Sequence, residues 1–256
     1  MIPIKIEREL VIMRRACQIT AGARKVAADM VKPGVTTQQI DKAVHDYIVS
    51  QGATPSFLGY GGFPGSACIS INDVVIHGIP GNQVIHEGDI VSVDVGAKWN
   101  GFHGDCAATI ICGETDEESR RLVEVTRQSF FEGLKFCKKG YRVSDISNAV
   151  QTYVEDHGFS VVRKFVGHGV GENLHEEPEV PNFGRPGRGP RLIPGMTIAI
   201  EPMVNAGSYD VYVMPDRWTT RTVDGKRAAH YENTVLITDG EPEILTVTEG
   251  QNNGYL

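Results

Sequence analysis

Two apolar runs in this chain start at a glycine and end six residues later on a carboxylate: Gly88-Asp-Ile-Val-Ser-Val-Asp94 and Gly195-Met-Thr-Ile-Ala-Ile-Glu201. Each is followed by a second acid near another strand, Asp105 and Glu232 respectively. An isolated ionised carboxylate inside an apolar sheet costs several kcal/mol or more unless it is paired or holds a cation. A fold that buries four such acids in two matched pairs must bring them together, and the pattern points to a metal site.

The rest of the chain shares this duplication. At an offset of 106, Lys32, Gly34, Ile40, Ala43, Val44, Tyr47 and Gly52 match Lys138, Gly140, Ile146, Ala149, Val150, Tyr153 and Gly158. Both segments place apolar residues at i, i+3, i+4, i+7 and i+8, the stripe of an amphipathic helix, with Thr36 or Thr37 and Ser144 positioned as caps. Another helical stretch precedes each: one carries Met13, Cys17, Thr20, Ala23, Ala27 and Met30, and the other opens with a capping-box pattern, Thr115-Asp-Glu-Glu118. Strands follow each pair, and the two Gly-to-acid strands lie 107 apart. The unit is therefore helix, helix, strands, carboxylates, twice, over roughly 5–112 and 115–248. The expectation is one α+β domain over residues 1–256, with a curved antiparallel sheet and helices outside. Glycines and prolines crowd from Pro178 to Gly195, predicting a long surface loop without regular structure.

Composition narrows the class. At 41% apolar residues the 256-residue chain can bury a sizeable core. A net charge of −7 gives no basic face for DNA. No run approaches the ~18 apolar residues of a membrane span, and the N-terminus lacks the apolar stretch of a signal peptide, so a cytoplasmic protein is expected. Cys17, Cys68, Cys106, Cys112 and Cys137 are odd in number and never in C-x-x-C spacing, and read as reduced thiols.

Asp94 and Asp105 are 11 residues apart, consistent with neighbouring strands joined by a turn at Trp99-Asn-Gly101. Between the halves lies Gly167-His168-Gly169-Val-Gly171, whose glycines are expected to let backbone approach a ligand and to leave the imidazole exposed. One histidine and four carboxylates suit two hard or borderline divalent cations, Co, Mn, Fe(II) or Zn according to availability, with two acids bridging. A serine hydrolase is a poor competitor, since no G-x-S-x-G elbow occurs.

Taken together, HGIP at 77–80, the Asp94 to Asp105 interval, GHGVG around His168, HEEP at 175–178, IEPMV at 200–204 and YENT at 231–234 resemble the type I methionine aminopeptidases over almost the whole chain. The 33-residue interval from His168 to Glu201 leaves no room for the helical insertion of the type II enzymes. The resemblance implies the pseudo-twofold pita-bread fold and a monomer. It implies Asp94, Asp105, His168, Glu201 and Glu232 as ligands of two ions, with Asp105 and Glu232 bridging. It implies removal of the initiator methionine from N-terminal methionyl peptides and nascent chains when the second residue is small and uncharged, by a metal-bridging hydroxide that attacks the first peptide bond. His77 would contact the substrate near that bond, His175 would donate to the carbonyl oxygen as it becomes an oxyanion, and Glu201 would shuttle the proton.

Phe57, Tyr60, Phe63, Cys68, Leu174 and Trp218 align with the family's methionine pocket, and soft apolar groups suit a thioether. Leu174 stands where relatives often place Phe, and Phe57 where a smaller residue is common. By the family's rule, a chain beginning Met1-Ile2 keeps its own methionine. His45, His86, His103, His157 and His230 match no functional motif and read as structural. Arg185, Arg188 and Arg191 read as a solvated loop surface, with transient contact to ribosomal RNA as the alternative. Two other classes compete: an Xaa-Pro aminopeptidase or prolidase, which usually adds an N-terminal domain, and a metal-free binding protein of the same fold, which would have lost ligands.

Overall fold

The structure is a computed structural model that describes residues 1–248; residues 249–256 of the expected 1–256 unit lie outside the described residues. Four helices flank the strands: α1 (Glu7–Met30), α2 (Thr37–Ser50), α3 (Glu117–Leu134) and α4 (Val143–Asp156). Helices α2 and α4 are each 14 residues long and begin 106 residues apart, at 37 and 143, the sequence offset. They bury the anticipated stripes: Ile40, Val44 and Ile48 on α2, Ile146, Val150 and Val154 on α4.

The caps differ in part from expectation. Thr36 caps α2, accepting from the Gln39 amide at 3.3 Å while the Gln39 side chain accepts from the Thr36 amide at 2.8 Å. Helix α3 is capped by Asp116, which accepts from the Ser119 amide at 2.8 Å; Thr115 instead donates its hydroxyl to the carbonyl of Gly88, tying the helix entry to the start of the Asp94 strand. On α4 the cap position is Arg142, whose amide donates to Asp145. Ser144 lies within the first turn, donating to the Arg188 carbonyl at 2.8 Å and accepting from the Arg188 amide at 2.6 Å. A hydroxyl facing a polar loop finds a better partner there than in its own helix.

The main sheet has nine strands. Its path runs from Thr54–Pro55 through Ile90–Trp99, Phe102–Ile111, Glu232–Leu236, Thr197–Ile200 and Gly167–Gly169 to Glu176–Val180, antiparallel throughout. Strands of both halves thus meet at its middle, where Phe102–Ile111 pairs with Glu232–Leu236. Ile90–Trp99 and Phe102–Ile111 form the expected hairpin, turning at Asn100 and Gly101 with φ of 45° and 93°, both in the left-handed region that such a turn requires. The Gly/Pro-rich segment is not wholly irregular: Glu176–Val180 is a strand that includes Pro178, and the irregular loop follows it. An edge strand tolerates a proline whose missing N–H is not needed in the ladder.

The glycines around His168 have a different cause from the one expected. A Cβ on Gly167 would lie 2.4 Å from the carbonyl oxygen of Ala199, and one on Gly169 would lie 2.3 Å from that of Glu177. It is neighbouring main chain, not a ligand, that approaches this strand. Gly169→Ala is expected to destabilise the protein by about 2 kcal/mol or more, because rigid backbone must move to admit the methyl. Thermal unfolding checks this; an unchanged Tm would show that the strands are less closely opposed.

Candidate metal centre and substrate pocket

Strand register assembles the acids. Asp94 and Glu232 both pair with Ala107, from opposite sides of the Phe102–Ile111 strand, and Asp105 lies two residues from Ala107. Directly opposed residues, and residues two apart on one strand, share a face, so these three carboxylates project together. Ile200 pairs with Asn233, which brings the next residue, Glu201, opposite Glu232. Beside Asp105 the ladder opens, and the Thr234 hydroxyl bridges the strands, accepting from the Asp105 amide at 3.1 Å and donating to its carbonyl at 2.8 Å.

His168 closes one side. Its Nε2 is 3.5 Å from Glu201 and 3.8 Å from Asp105, while Nδ1 is 2.8 Å from the Gly169 carbonyl oxygen. A carbonyl can only accept, so Nδ1 carries the proton and Nε2 presents a lone pair to the acids. This imidazole is 8% exposed and so buried, against the expectation of an exposed ring. His230, read from sequence as structural, also joins the group: its Nε2 is 3.8 Å from both Glu201 and Glu232. It stands two residues before Glu232, and the alternation of an extended chain was the signal that placed it on that face.

Burial pushes the Asp94 carboxyl up to about 7. Burial, reinforced by neighbouring carboxylates, raises Asp105, Glu201 and Glu232 well above the usual range. Burial lowers His168 and His230 to about 3, so both are neutral at physiological pH. Oδ1 of Asp94, Oδ1 of Asp105, Oε1 of Glu232 and Nε2 of His230 are buried without a hydrogen-bond partner. Ligand atoms of Asp105, His168 and Glu232 lie within 4.8 Å of one another, as do those of Asp94, His230 and Glu232. Repelling anions, neutral imidazoles and orphaned lone pairs converging on one place are a donor set that a divalent cation satisfies.

Beside the acids lies an apolar cluster of Phe57, Phe63, Cys68 and Leu174, with Trp218 and Ile79 against it. Trp218 meets Phe63 edge to face at 5.2 Å. Ile79 was not anticipated; it follows His77-Gly78 directly. His77 holds a left-handed φ of 57°, and Gly78 must lack a Cβ because one would lie 2.1 Å from the Ile69 carbonyl oxygen. The strained turn aims the His77 ring edge-on to Trp218 and Phe165, and burial with the nearby His175 lowers its pKa to about 4. Tyr60 stands apart from the apolar cluster, with its hydroxyl 2.7 Å from Nδ1 of His175. Acids and apolar cluster line one cavity, together with Tyr60, His77, His168 and His175.

Residues 11–239 match the model of metallopeptidase family M24. The chain is 53% identical to the methionine aminopeptidase of Clostridium perfringens, covering 96% of this chain and 99% of that one, and 52% identical to methionine aminopeptidase 1 of Bacillus subtilis with the same coverage. The chain belongs to metallopeptidase family M24, among its methionine aminopeptidases. The crystal structure of the methionine aminopeptidase from Thermotoga maritima superposes with a TM-score of 0.95 at 46% identity, covering 96% of this chain and 99% of that one. The prolidase of Pyrococcus furiosus gives 0.79 at 25% identity and extends well beyond the match, which covers 66% of it. The fold is thus the α+β pita-bread fold of M24, and the enzyme is a metal-dependent peptidase.

One buried residue escaped the sequence altogether. Arg24, on α1 and 2% exposed, donates Nη1 to the Glu232 carbonyl at 3.1 Å and to Asn233 Oδ1 at 3.0 Å. Its charge also pulls the Glu232 carboxyl down against the opposing effect of burial. Nothing in the stripe of α1 marks this position as touching a strand more than two hundred residues away.

His168 and His230 are already neutral in the folded protein, so a cation binding there displaces protons from the raised acids and not from the imidazoles. The metal-stripped fold holds protons on its acids that the unfolded chain has lost. Linkage makes the acids' contribution to its stability fall as pH rises toward about 7, where Asp94 titrates, with Asp105, Glu201 and Glu232 shifted in the same direction. The rise in Tm on adding Mn(II) should therefore grow between pH 6.5 and 8. A pH-independent increment on metal addition would contradict this.

Proposed function

We propose that this enzyme removes the initiator methionine from nascent proteins and N-terminal methionyl peptides when the second residue is small and uncharged, acting as a cytoplasmic monomer. Among the described residues no helix is long and apolar enough to cross a membrane. What carries the reading is the adjacency, in one cavity, of the carboxylate and imidazole set to an apolar pocket of aromatic and sulfur groups.

Two divalent cations, from Mn, Fe(II), Co or Zn, would be held by Asp94, Asp105, His168, Glu201 and Glu232. Glu232 belongs to both groupings of ligand atoms, which supports its sharing between ions, and Asp105 is assigned the same role. Such ions supply hydroxide from water at neutral pH and polarise a carbonyl. Phe57, Phe63, Cys68, Leu174 and Trp218 take up the thioether, and their packing excludes water from it. His77, neutral and held by its aromatic neighbours, contacts the substrate near the scissile amide. His175, whose pKa burial lowers, donates as a neutral imidazole to the carbonyl oxygen as negative charge develops there. Glu201, with a carboxyl raised by burial, takes a proton and returns it to the leaving nitrogen. Arg185, Arg188 and Arg191 are assigned to a solvated surface, and loss of ribosome co-sedimentation in a triple alanine variant would reverse that.

The test is release of free methionine from Met-Ala-Ser and Met-Leu-Ser by metal-stripped protein resupplied with Mn, Fe(II), Co or Zn. Metal-dependent cleavage of the alanine peptide alone, abolished by Asp105→Ala, is the expected result. His175→Ala should lower kcat by about 10²–10³-fold, the loss typical of an oxyanion donor. Cleavage of Xaa-Pro peptides instead would contradict the methionine reading.

A further inference from the structure

Two of the imidazoles at the site lie close together, with ring centroids of His168 and His175 4.1 Å apart, yet they face opposite demands. A cation ligand needs a bare nitrogen, whereas a donor to a developing oxyanion needs an N–H. Their Nδ1 partners differ accordingly. His168 Nδ1 meets a carbonyl, which only accepts, and His175 Nδ1 meets the Tyr60 hydroxyl, which can donate.

We propose that Tyr60 is a positioning residue whose hydroxyl donates to Nδ1 of His175 and so holds that imidazole as its Nε2–H tautomer, with the proton on the nitrogen left for the substrate. This rests on the reading of His175 as donor to the carbonyl oxygen. The direction of the bond follows from acid–base chemistry: a phenol is a stronger acid than a neutral imidazole N–H, and a bare imidazole nitrogen is a stronger base than a phenol oxygen. At 2.7 Å the contact has the length of a well-formed hydrogen bond.

The local chain is built to hold this phenol in place. Tyr60 begins a 3₁₀ turn, Tyr60–Gly62, entered through Gly59 at φ 81°. The turn is closed by the Phe63 amide on the Tyr60 carbonyl at 2.9 Å and by the Gly59 amide on the Phe63 carbonyl at 2.8 Å. Gly61 packs under Trp218, where a Cβ would be 3.1 Å from the indole, so the turn sits directly on the pocket wall. Tyr60 is itself 45% exposed and lies outside the apolar cluster. Its ring is tilted against His175 with centroids 5.2 Å apart, so it covers the imidazole from the rim of the cavity it helps to line.

Nitrogen-15 NMR of the full-length protein labelled at histidine and loaded with diamagnetic Zn(II) reads the tautomers directly, because protonated and bare ring nitrogens resonate far apart. His175 is expected as Nε2–H and His168 as Nδ1–H. In Tyr60→Phe, which keeps the ring, the His175 signals should move toward the other tautomer, while kcat on Met-Ala-Ser falls about tenfold, the value of one hydrogen bond, and KM changes little. The same substitution made in a His175→Ala background should cost nothing further, since its effect passes through His175. Finding Nδ1–H on His175 in the wild type, or finding tautomer and kcat both unmoved in Tyr60→Phe, overturns the proposal. Undiminished kcat in His175→Ala alone would instead remove the donor reading of His175, while the NMR still decides what Tyr60 holds.

Discussion

Four carboxylates crowd one face of an otherwise apolar sheet, and the surrounding architecture is arranged around tolerating them. Two come from each half of the chain, and the pairing of Phe102–Ile111 with Glu232–Leu236 brings the halves into one ladder at that point. Because side chains alternate along a strand, a shift of one residue in that register would turn Glu232 to the other face and dissolve the site. The Thr234 hydroxyl, bonded to both the amide and the carbonyl of Asp105, holds the strands where the ladder itself gives way.

The histidines around this anionic centre are kept neutral by the same burial that raises the acids. A neutral imidazole offers one lone pair and one N–H, and what each can do depends on which nitrogen holds the proton. At His168 a main-chain carbonyl decides it, as Gly167 and Gly169 let neighbouring strands close against that residue. At His77 the strained turn and two aromatic rings decide where the ring points. Electrostatics and local backbone geometry therefore act on the same few residues, and neither would suffice alone.

Much of this was legible in the chain because duplication and alternation leave periodic traces. The 106-residue offset located α2 and α4, and the Gly-to-acid spacing located Asp94 within a strand and Glu201 directly after the end of another. The hairpin at Asn100-Gly101 could be read from its turn residues. Features set by contacts distant in sequence were not legible. Arg24 looks like one more residue of α1, and its role behind Glu232 exists only once that helix docks on the strand. Thr115 and Ser144 carry good capping chemistry, but Gly88 and Arg188 offered their hydroxyls competing partners that local spacing does not reveal. His230 was missed because no motif included it, although its parity with Glu232 was visible.

The claim that cation binding is what makes this centre tolerable is tested most directly by comparing wild type with Asp105→Asn in thermal unfolding at pH 8, with metal stripped and with Mn(II) restored. Removing one buried charge should make the metal-stripped variant more stable than wild type, while reducing the gain in Tm on adding metal. A metal-stripped variant less stable than wild type, with an undiminished response to Mn(II), would contradict the account and return Asp105 to an ordinary structural role.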